Sequence, residues 1–425
     1  MKDKSLTKSI TFNDFKKEIL NDYKTIVISR ETSLLGRKEV LSGKAKFGIF
    51  GDGKELPQIA MAKAFRRGDH RSGYYRDQTF MLALNEISVQ QIFSALYANT
   101  DLKKEPMSGG RQMGSHFMSN YIDEKGDFID STQKYNSSAD ISPTSGQMPR
   151  LLGLAMASKL YRDGSFNSKN FSNNGNEVAW GTIGNASTSE GPFFEVFNAA
   201  GVHQVPMIIS VWDDEYGISV NNSYQTTKSS ISKALHGFKR DKSNKGFEIY
   251  TVDGWDYQSL IQIYEHSSNF CRENHIPILI HVKNLTQPIG HSTSGSHERY
   301  KNKSRLEWEM KYDCNRKMRE WILDNNLSDL NKIEQIEKDC IEFVKSEKKA
   351  AWDDFQKDII VERDSFIKLI KSLVHQYKSK DLAEIANSLL RLKDLGRKDV
   401  MSAARRSLRL ETVSYTHLRA HETNS

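Results

Sequence analysis

The chain has 425 residues, a length that predicts two or three folded units; 37% of the residues are hydrophobic and 27% charged, the mean hydropathy is −0.62, and the 10% of aromatic residues excludes a disordered chain. The net charge of +7 is thin for this length and does not indicate nucleic-acid binding, and no apolar run approaches about 18 residues, so we expect no membrane span. The three widely spaced cysteines and the lack of an apolar leader at the N-terminus favour a cytoplasmic protein.

In the first 300 residues, segments with helical spacing of apolar residues alternate with short apolar strands. The predicted helices are 56–65, 89–97, 148–161, 189–202 and 257–271. The predicted strands are 177–183, 206–212, 247–252 and 277–282. This alternation predicts an α/β fold, in which a parallel sheet has helices on both faces.

The segment after residue 300 is more charged and is predicted to be a helical extension. Asp, Glu, Lys and Arg make up about 40% of residues 301–410, against about a fifth of the preceding chain. Apolar spacing from Glu307 to Leu395 predicts two to four helices, Gly396 is expected to stop a helix, and 403–410 is expected to form a short basic helix. The predicted buried positions are Trp308, Tyr312, Trp321, Ile333, Ile336, Phe343, Trp352, Phe355, Ile359, Phe366 and Leu369.

Four regions follow from these patterns: an N-terminal helical segment (1–44), the α/β domain (45–300), the helical extension or linker (301–410) and a tail (411–425). The tail shows no helical stripe and no strand alternation, and it resembles translated library-adapter sequence rather than native protein. A disordered natural tail is the alternative. If the tail is foreign, the natural chain continues beyond this point.

Small and polar residues follow two successive predicted strands. Gly184-Asn-Ala-Ser-Thr-Ser-Glu-Gly191 comes after the first strand and before a helix whose positive end is expected to face it, and Asp213-Asp-Glu-Tyr-Gly-Ile-Ser219 comes after the second. Parallel strands end at the same edge of a sheet, so Asn185 and Asp214 could face one phosphate group. Their oxygens, a backbone carbonyl and two phosphate oxygens would suit octahedral Mg²⁺.

Gly184 to Ser219 resembles the thiamine diphosphate signature, Gly-Asp-Gly with Asn-Asn about thirty residues on, as it occurs in the α subunit of the first component of 2-oxoacid dehydrogenases. Further blocks resemble this family in the same order along the chain. They are Tyr75-Arg-Asp77, Gly110-Arg-Gln-Met-Gly-Ser-His116, Ser142-Pro-Thr-Ser-Gly-Gln-Met-Pro149, Val252-Asp-Gly254 and Gly290-His-Ser-Thr-Ser294, followed by Tyr300-Lys301.

The resemblance implies a thiamine diphosphate-binding fold and a definite set of site residues. The cofactor-binding positions it implies are Tyr75, Arg76, Ser142, Thr144, Gly184, Asn185, Ala186, Ser187, Asp214, Tyr216, Ile218 and His291. The Mg²⁺ ligands it implies are Asn185, Asp214 and Tyr216, and the catalytic residues are His291 and, without a definite step, His116. A loop histidine that caps a turn is the plain alternative for both histidines, and a surface ion pair is the alternative for Arg76.

The chain departs from the family at several of these positions. Asn185 stands where the family has Asp or Glu, and Asp214 stands where it has the second Asn, so one carboxylate and one amide remain. Asp213 adds a carboxylate that needs a partner or solvent. Trp212 replaces an arginine of branched-chain relatives, so some diphosphate charge must be met elsewhere, and Lys301 replaces the arginine of Tyr-Arg and loses its bidentate geometry. Gly146 replaces a threonine that helps to bind potassium in some relatives, which leaves a potassium site in doubt.

Several features have plainer interpretations. Gly51-Asp-Gly53 is expected to be a turn rather than a second signature, because no Asn-Asn or Asp-Asp follows it at the required distance. Arg299 and Lys301 are expected either to neutralise a phosphate or substrate carboxylate or to be ordinary solvated charges. Ser292 and Ser294 are interpreted as loop hydroxyls. Cys271, Cys314 and Cys340 are expected to be buried, inert thiols.

The resemblance implies oxidative decarboxylation of a branched-chain 2-oxoacid or pyruvate, with acyl transfer to the lipoyl group of an acyltransferase component. In the family the glutamate that activates the cofactor comes from the β subunit, so a β subunit or a fused β domain is an expected partner, within a homodimer or a two-α two-β assembly. The alternatives are a transketolase-like thiamine diphosphate enzyme, which would act on ketoses, and a non-catalytic structural subunit.

Overall fold

The structure, a computed structural model, describes residues 11–293 and 295–422, with side chains as far as Leu410. The α-helices are α1 (Phe12–Leu41), α2 (Glu55–Ala64), α3 (Gln78–Ala83), α4 (Val89–Leu96), α5 (Met148–Arg162), α6 (Gly191–His203), α7 (Ile231–Ala234), α8 (Tyr257–Asn274), α9 (Lys303–Lys311), α10 (Cys314–Asp324), α11 (Leu330–Tyr377), α12 (Lys380–Leu390) and α13 (Arg397–Glu422). The strands are β1 (His70–Ser72), β2 (Asn136–Ser137), β3 (Ala179–Gly184), β4 (Met207–Trp212), β5 (Tyr216–Gly217), β6 (Val220–Asn221), β7 (Glu248–Asp253) and β8 (Ile278–Lys283).

Six strands form one parallel sheet in the order β2-β1-β3-β4-β8-β7. The four strands predicted from apolar runs, β3, β4, β7 and β8, lie within two residues of their predicted limits. The pair β5 and β6 forms a separate antiparallel hairpin directly after β4. The parallel α/β fold predicted from the sequence is confirmed.

The sheet is covered on both faces, and every residue of the central strand β4 is buried. Ile208 of β4 packs into a core with Trp180, α2 and α8, whereas the next residue, Ile209, packs into a second core with α5 and α6. Successive side chains of a strand point to opposite faces, so these two neighbouring residues of β4 belong to different cores. The helices α2, α5, α6 and α8 were predicted from sequence, whereas α3, which adds Phe80 and Met81 to the first core, was not.

The helix limits follow from local chemistry. Asp256 accepts a hydrogen bond from the backbone N–H of Ser259 and thereby caps α8. Proline stands in the first turn of both α5 and α6, where its missing N–H costs nothing. The predicted start of α6 at Ser189 is two residues early, because Ala186–Ser189 forms a separate 3₁₀ turn.

The chain divides into two compact units, one that ends at Glu347 and one that begins at Lys348. The second has its own small core, to which α11, α12 and α13 contribute Ile367, Ile385 and Val400 respectively. Four helices, α9 to α12, cover the region where two to four were predicted. The sequence-based limits at 44/45, 300/301 and 410/411 stay predictions.

Four expectations about the extension are wrong. Gly396 does not end a helix but precedes α13, and its N–H donates to Asp399 Oδ2 (2.9 Å). The short basic helix is part of α13, whose backbone continues as helix to Glu422, so the first residues of the predicted tail are helical. Phe343 and Leu369 are 43% and 63% exposed rather than buried. The spacing of apolar residues predicts which face of a helix is apolar, but it does not show whether another element packs on that face.

The three cysteines are buried and unpaired, as predicted. Burial raises the pKa of the Cys271 and Cys314 thiols, which keeps them protonated and inert. Within the part of the chain that the structure describes, no helix has both the length and the apolar character needed to cross a membrane.

Candidate cofactor-binding site

A cavity of ≈ 260 Å³ opens at the carboxyl ends of β3 and β4, where a parallel sheet is expected to bind ligands. All predicted site residues line it except His116 and Ser142. The lining residues are Lys54, Tyr74, Tyr75, Arg76, Thr144, Gly184, Asn185, Ala186, Ser187, Glu190, Trp212, Asp214, Tyr216, Gly217, Ile218, Gln225 and His291. Motifs that lie far apart in the sequence therefore meet at one place, although their roles stay predictions.

Asn185 and Asp214 lie on neighbouring strand ends, as predicted. The backbone N–H of Asn185 donates to the carbonyl of Trp212 (3.2 Å), which ties the end of β3 to the end of β4. Asp214 Oδ1 accepts from the backbone N–H of Tyr216 (3.1 Å). Asn185 is 5% exposed, and its Nδ2 has no hydrogen-bond partner among the described residues. A buried amide donor without a partner is costly, so this atom is suited to receive a ligand acceptor.

Lys54 is the main site residue that the sequence interpretation missed. Its ammonium is 1% exposed and donates to Asp214 Oδ2 (2.8 Å), Gln287 Oε1 (2.7 Å) and the Thr286 carbonyl (3.1 Å). Lys54 precedes α2 and lies more than 150 residues from Asp214 along the chain. It directly follows Gly51-Asp-Gly53, which the sequence indicates only as a turn. Trp212 stands where branched-chain relatives have an arginine, and Lys54, from the segment before α2, brings a positive charge to the same cavity.

His291 lies on the other side of Asp214, with Nε2 3.3 Å from Oδ2. Burial raises the pKa of Asp214, but Lys54 and His291 more than offset this, so its pKa lies well below the usual range. Burial lowers the pKa of His291 despite the neighbouring carboxylate. The ring is therefore neutral at neutral pH, and a proton on Nε2 that bonds Asp214 leaves a lone pair on Nδ1. Nδ1 has no partner among the described residues.

Arg76 is 5% exposed, so the surface-ion-pair alternative is wrong. Its guanidinium donates to the Phe50 carbonyl (2.7 Å) and to the His291 carbonyl (2.8 Å), which holds the His291 loop against the cavity. His116 stacks on Tyr75, with ring centroids 5.8 Å apart. His116 and the other predicted residue outside the cavity lining, Ser142, contact each other, with Nε2 3.2 Å from Oγ.

Two lining residues, Glu190 and Ile218, have features that the sequence did not predict. Glu190 precedes α6 and accepts hydrogen bonds from the hydroxyls of Thr144 and Ser145, so a carboxylate lies at the helix end that was expected to face an anion. Ile218 is 68% exposed and has a φ of +57°, which is unusual for a β-branched residue. Such strained positions are concentrated at binding sites.

The departures from the family pattern find specific partners. Asp213 Oδ2 lies 2.7 Å from Nε2 of the buried His281, which meets the expected need for a partner. Trp212 is buried, and its Nε1 donates to Asp77 Oδ1 (3.1 Å). Lys301 is buried and pairs with Glu309 at 2.7 Å, so the solvated-charge alternative is wrong for this residue.

The other charged and hydroxyl positions near this loop are less constrained. Arg299 is exposed, which agrees with an ordinary solvated charge. Ser292 is half-buried, and its backbone carbonyl accepts a hydrogen bond from Arg37 (3.3 Å). Ser294 lies outside the described residues.

The turn at Gly51-Asp-Gly53 is confirmed as a turn before α2, but it also supports the site. Asp52 is fully buried; its Oδ1 accepts from Gln287 Nε2 (2.7 Å) and its Oδ2 from the backbone N–H of Ile289 (2.9 Å). Gln287 in turn accepts from Lys54. The turn therefore anchors both the lysine and the loop that leads to His291.

We expect Gly53→Ala to destabilise the protein more than Gly43→Ala, although the two glycines have nearly equal φ, +81° and +82°. The left-handed conformation costs alanine about 1–2 kcal/mol at either position. A Cβ on Gly53 would also lie 2.1 Å from the Thr286 carbonyl oxygen, whereas nothing lies within 4 Å of one on Gly43. Gly53→Ala should lose roughly a further 1–3 kcal/mol of unfolding free energy in denaturant titrations. Equal losses would contradict this close approach.

The residues present fit a phosphate group better than a divalent ion. The Asn185 Nδ2 donor and the Lys54 and Arg76 cations suit an anion. A Mg²⁺ bound to Asp214 would lie within about 5 Å of Lys54, and their repulsion would be several kcal/mol at an effective dielectric constant of about 20. The predicted Mg²⁺ site therefore does not fit this arrangement.

Comparisons with known proteins identify a family and several relatives. The family described as Dehydrogenase E1 component matches residues 23–359. The 2-oxoisovalerate dehydrogenase subunit alpha of Bacillus subtilis (strain 168) is 27% identical over 301 residues, which are 70% of this chain and 79% of that protein. The pyruvate dehydrogenase E1 component subunit alpha of Rickettsia prowazekii (strain Madrid E) is 23% identical over 360 residues, 82% of this chain and 98% of that protein. The namesake in Rickettsia bellii (strain RML369-C) is 26% identical over 204 residues, and this chain spans about half its length, 56%.

Proposed function

Because the chain belongs to the Dehydrogenase E1 component family, we propose that it is the α part of a thiamine diphosphate-dependent 2-oxoacid dehydrogenase. The proposed reaction is the oxidative decarboxylation of a branched-chain 2-oxoacid or pyruvate, followed by transfer of the acyl group to the lipoyl group of an acyltransferase. The names of the relatives from Bacillus and Rickettsia support this substrate class.

The observation that carries the proposal is the cavity at the ends of β3 and β4. It collects residues from four of the blocks that resemble the family, including Arg76, Asn185, Asp214 and His291. Unrelated packing would not require a buried arginine, an unpartnered buried amide and an unpartnered histidine nitrogen to meet at one cavity.

Each of these residues has a chemical task in the proposal. The cofactor, when bound, supplies the electron sink that lets a 2-oxoacid lose CO₂. Asn185 Nδ2 donates to a phosphate oxygen, and Arg76 contributes positive charge and holds the His291 loop. Asp214 orients His291 through Nε2, so that Nδ1 is directed to the reacting group as a proton acceptor.

A β subunit or a fused β domain completes this site in our proposal. In the family the β part provides the glutamate that activates the cofactor, and the described residues of this chain form a single parallel sheet. We propose a two-α two-β assembly, or a homodimer of a fused chain, that works with a lipoyl acyltransferase component.

We expect the 425-residue chain alone to have negligible turnover, because half of the proposed site is supplied by the β part. A panel of 2-oxoacids with a redox-dye readout tests this on the chain alone and on the chain with its β part. Branched-chain 2-oxoacids or pyruvate should be turned over only by the assembled protein.

Other outcomes separate the alternatives. Robust 2-oxoacid turnover by the isolated chain would contradict the incomplete site. Ketose transfer without a response to a lipoyl domain would favour a transketolase-like enzyme. No thiamine diphosphate binding, even with the β part, would favour a structural subunit.

A further inference from the structure

We propose that Lys54 is a built-in counter-cation for the diphosphate group, so that binding of this group depends little on a divalent metal. The inference rests on the proposed function, because it concerns the same cavity. It differs from the Mg²⁺ dependence that the sequence predicts, since the position next to Asp214 is already held by an ammonium group 2.8 Å away.

The charge of the cavity supports this role. The charged side chains that line it are Lys54, Arg76, Asp214 and Glu190. These four charges sum to zero. Without Lys54 the lining would carry a net negative charge and would repel a diphosphate unless another cation were bound. Lys54 therefore supplies the charge that would otherwise have to come from a metal.

Lys54 is also held too firmly to be a mobile surface charge. Its three N–H donors are matched by three acceptors, on Asp214, Gln287 and Thr286. Gln287 is held in turn by Asp52 of the preceding turn. A buried lysine whose three donors are all satisfied is held in position, so it is preorganised to face a ligand without moving.

A second, independent feature indicates that a ligand faces this cation. The buried Asn185 Nδ2 is a donor without a partner in the lining of the same cavity. A donor suits a phosphate oxygen and does not suit a metal ion. The amide thus offers a hydrogen bond to an anion, and the ammonium, whose donors are all used, contributes its positive charge.

The test is a calorimetric titration of the assembled protein, chain with its β part, with thiamine diphosphate and separately with inorganic diphosphate. Each titration is made in excess EDTA and in excess Mg²⁺. The wild-type affinity should differ by less than about threefold between the two conditions. In EDTA the affinity of Lys54→Gln should be lower than that of the wild type by a factor of about ten or more, as expected for loss of a charged partner. In Mg²⁺ the affinity of this variant should recover.

Two variants serve as controls. Lys63→Gln removes another lysine, at the far end of α2, which pairs with Glu18 and Asp22 rather than with cavity residues, and it should behave as wild type. Lys54→Arg keeps the charge and should retain most of the binding in EDTA.

Several outcomes overturn the inference. One is a wild-type protein whose affinity for either ligand is more than about tenfold higher in Mg²⁺ than in EDTA. This comparison tests the inference even if a variant fails to fold. Equal binding by wild type and folded Lys54→Gln in EDTA is another, as is no binding of either ligand. If inorganic diphosphate binds without metal but thiamine diphosphate does not bind, the proposed function fails while the role of Lys54 stands.

Discussion

Replacing His291 with alanine is expected to lower kcat of the assembled protein by about 10²–10⁴-fold, the usual contribution of a positioned acid or base. His291 is the one histidine that lines the cavity, and its Nδ1 has no partner among the described residues. Its Nε2 lies 3.3 Å from Asp214, so the ring is held in one orientation. The measurement is steady-state turnover of the preferred 2-oxoacid, followed with a redox dye.

The control for this variant is His266→Ala, on the exposed face of α8. The His266 ring lies against Tyr250 and Phe270, away from the cavity lining. It should keep wild-type turnover. Thiamine diphosphate affinity separates a catalytic effect from lost binding, because His291→Ala keeps Lys54, Arg76 and Asn185. A His291→Ala protein that retains more than about a third of wild-type kcat would show that the ring has no part in the reaction.

Replacing Arg71 with methionine is expected to lower the unfolding free energy of the α/β unit by about 3–5 kcal/mol. Arg71 is the fully buried middle residue of β1 and pairs with Asp77 at 2.7 Å and with Asp140 at 3.0 Å. Methionine fills similar volume but leaves two carboxylates buried without their cation. Since whole domains are stable by only about 5–15 kcal/mol, this single change should bring the unit close to unfolding. Denaturant titration followed by fluorescence of the buried Trp180 and Trp212 measures the loss.

Arg67→Met is the matched control, because Arg67 is exposed and its guanidinium donates to the Gln133 carbonyl. It should cost less than about 1 kcal/mol. Adding Asp140→Asn to Arg71→Met removes one of the two unpaired carboxylates and should restore part of the loss. A loss below about 1 kcal/mol for Arg71→Met alone would rule out this network as a major source of stability.

The network around Arg71 also reaches the cavity, so the prediction for Arg71 and the prediction for His291 concern the same site. Asp77 pairs with Arg71, receives a hydrogen bond from Trp212 at the end of β4, and bonds the Thr182 hydroxyl of β3. It therefore ties together the three strand ends from which Arg76, Asn185 and Asp214 reach the cavity. We expect Arg71→Met to lower cofactor affinity as well as stability.

Much of the fold could be predicted from sequence because periodicity is a local property. The apolar runs that became β4 and β8 and the helical spacing of α5 and α8 are visible within ten to twenty residues. The errors fell where local spacing does not contain the answer. Phe343 and Leu369 have helical spacing but are exposed, and Gly396 precedes a helix rather than ending one.

The site divides in the same way. Asn185, Asp214 and His291 could be predicted because each lies in a block with its own pattern, and parallel strands bring their ends to one edge. Lys54 and Arg71 carry no such pattern, and Asp52 lies in a Gly-Asp-Gly triplet that was interpreted as a plain turn. Each is a charged residue whose importance comes only from what it contacts, and those contacts lie across long stretches of chain.

By itself, the sequence determined the parallel α/β fold, the family resemblance and the place where the cavity lies, since these depend on periodicity, turn residues and the order of blocks. Only the tertiary structure decided the charge of that cavity. A turn near residue 52 and the ends of β4 and β8 converge there, so that Lys54 meets Asp214 at 2.8 Å. The balance between ammonium, carboxylate and metal depends on distances of a few ångströms, because electrostatic energies in a buried site fall with distance and rise with burial.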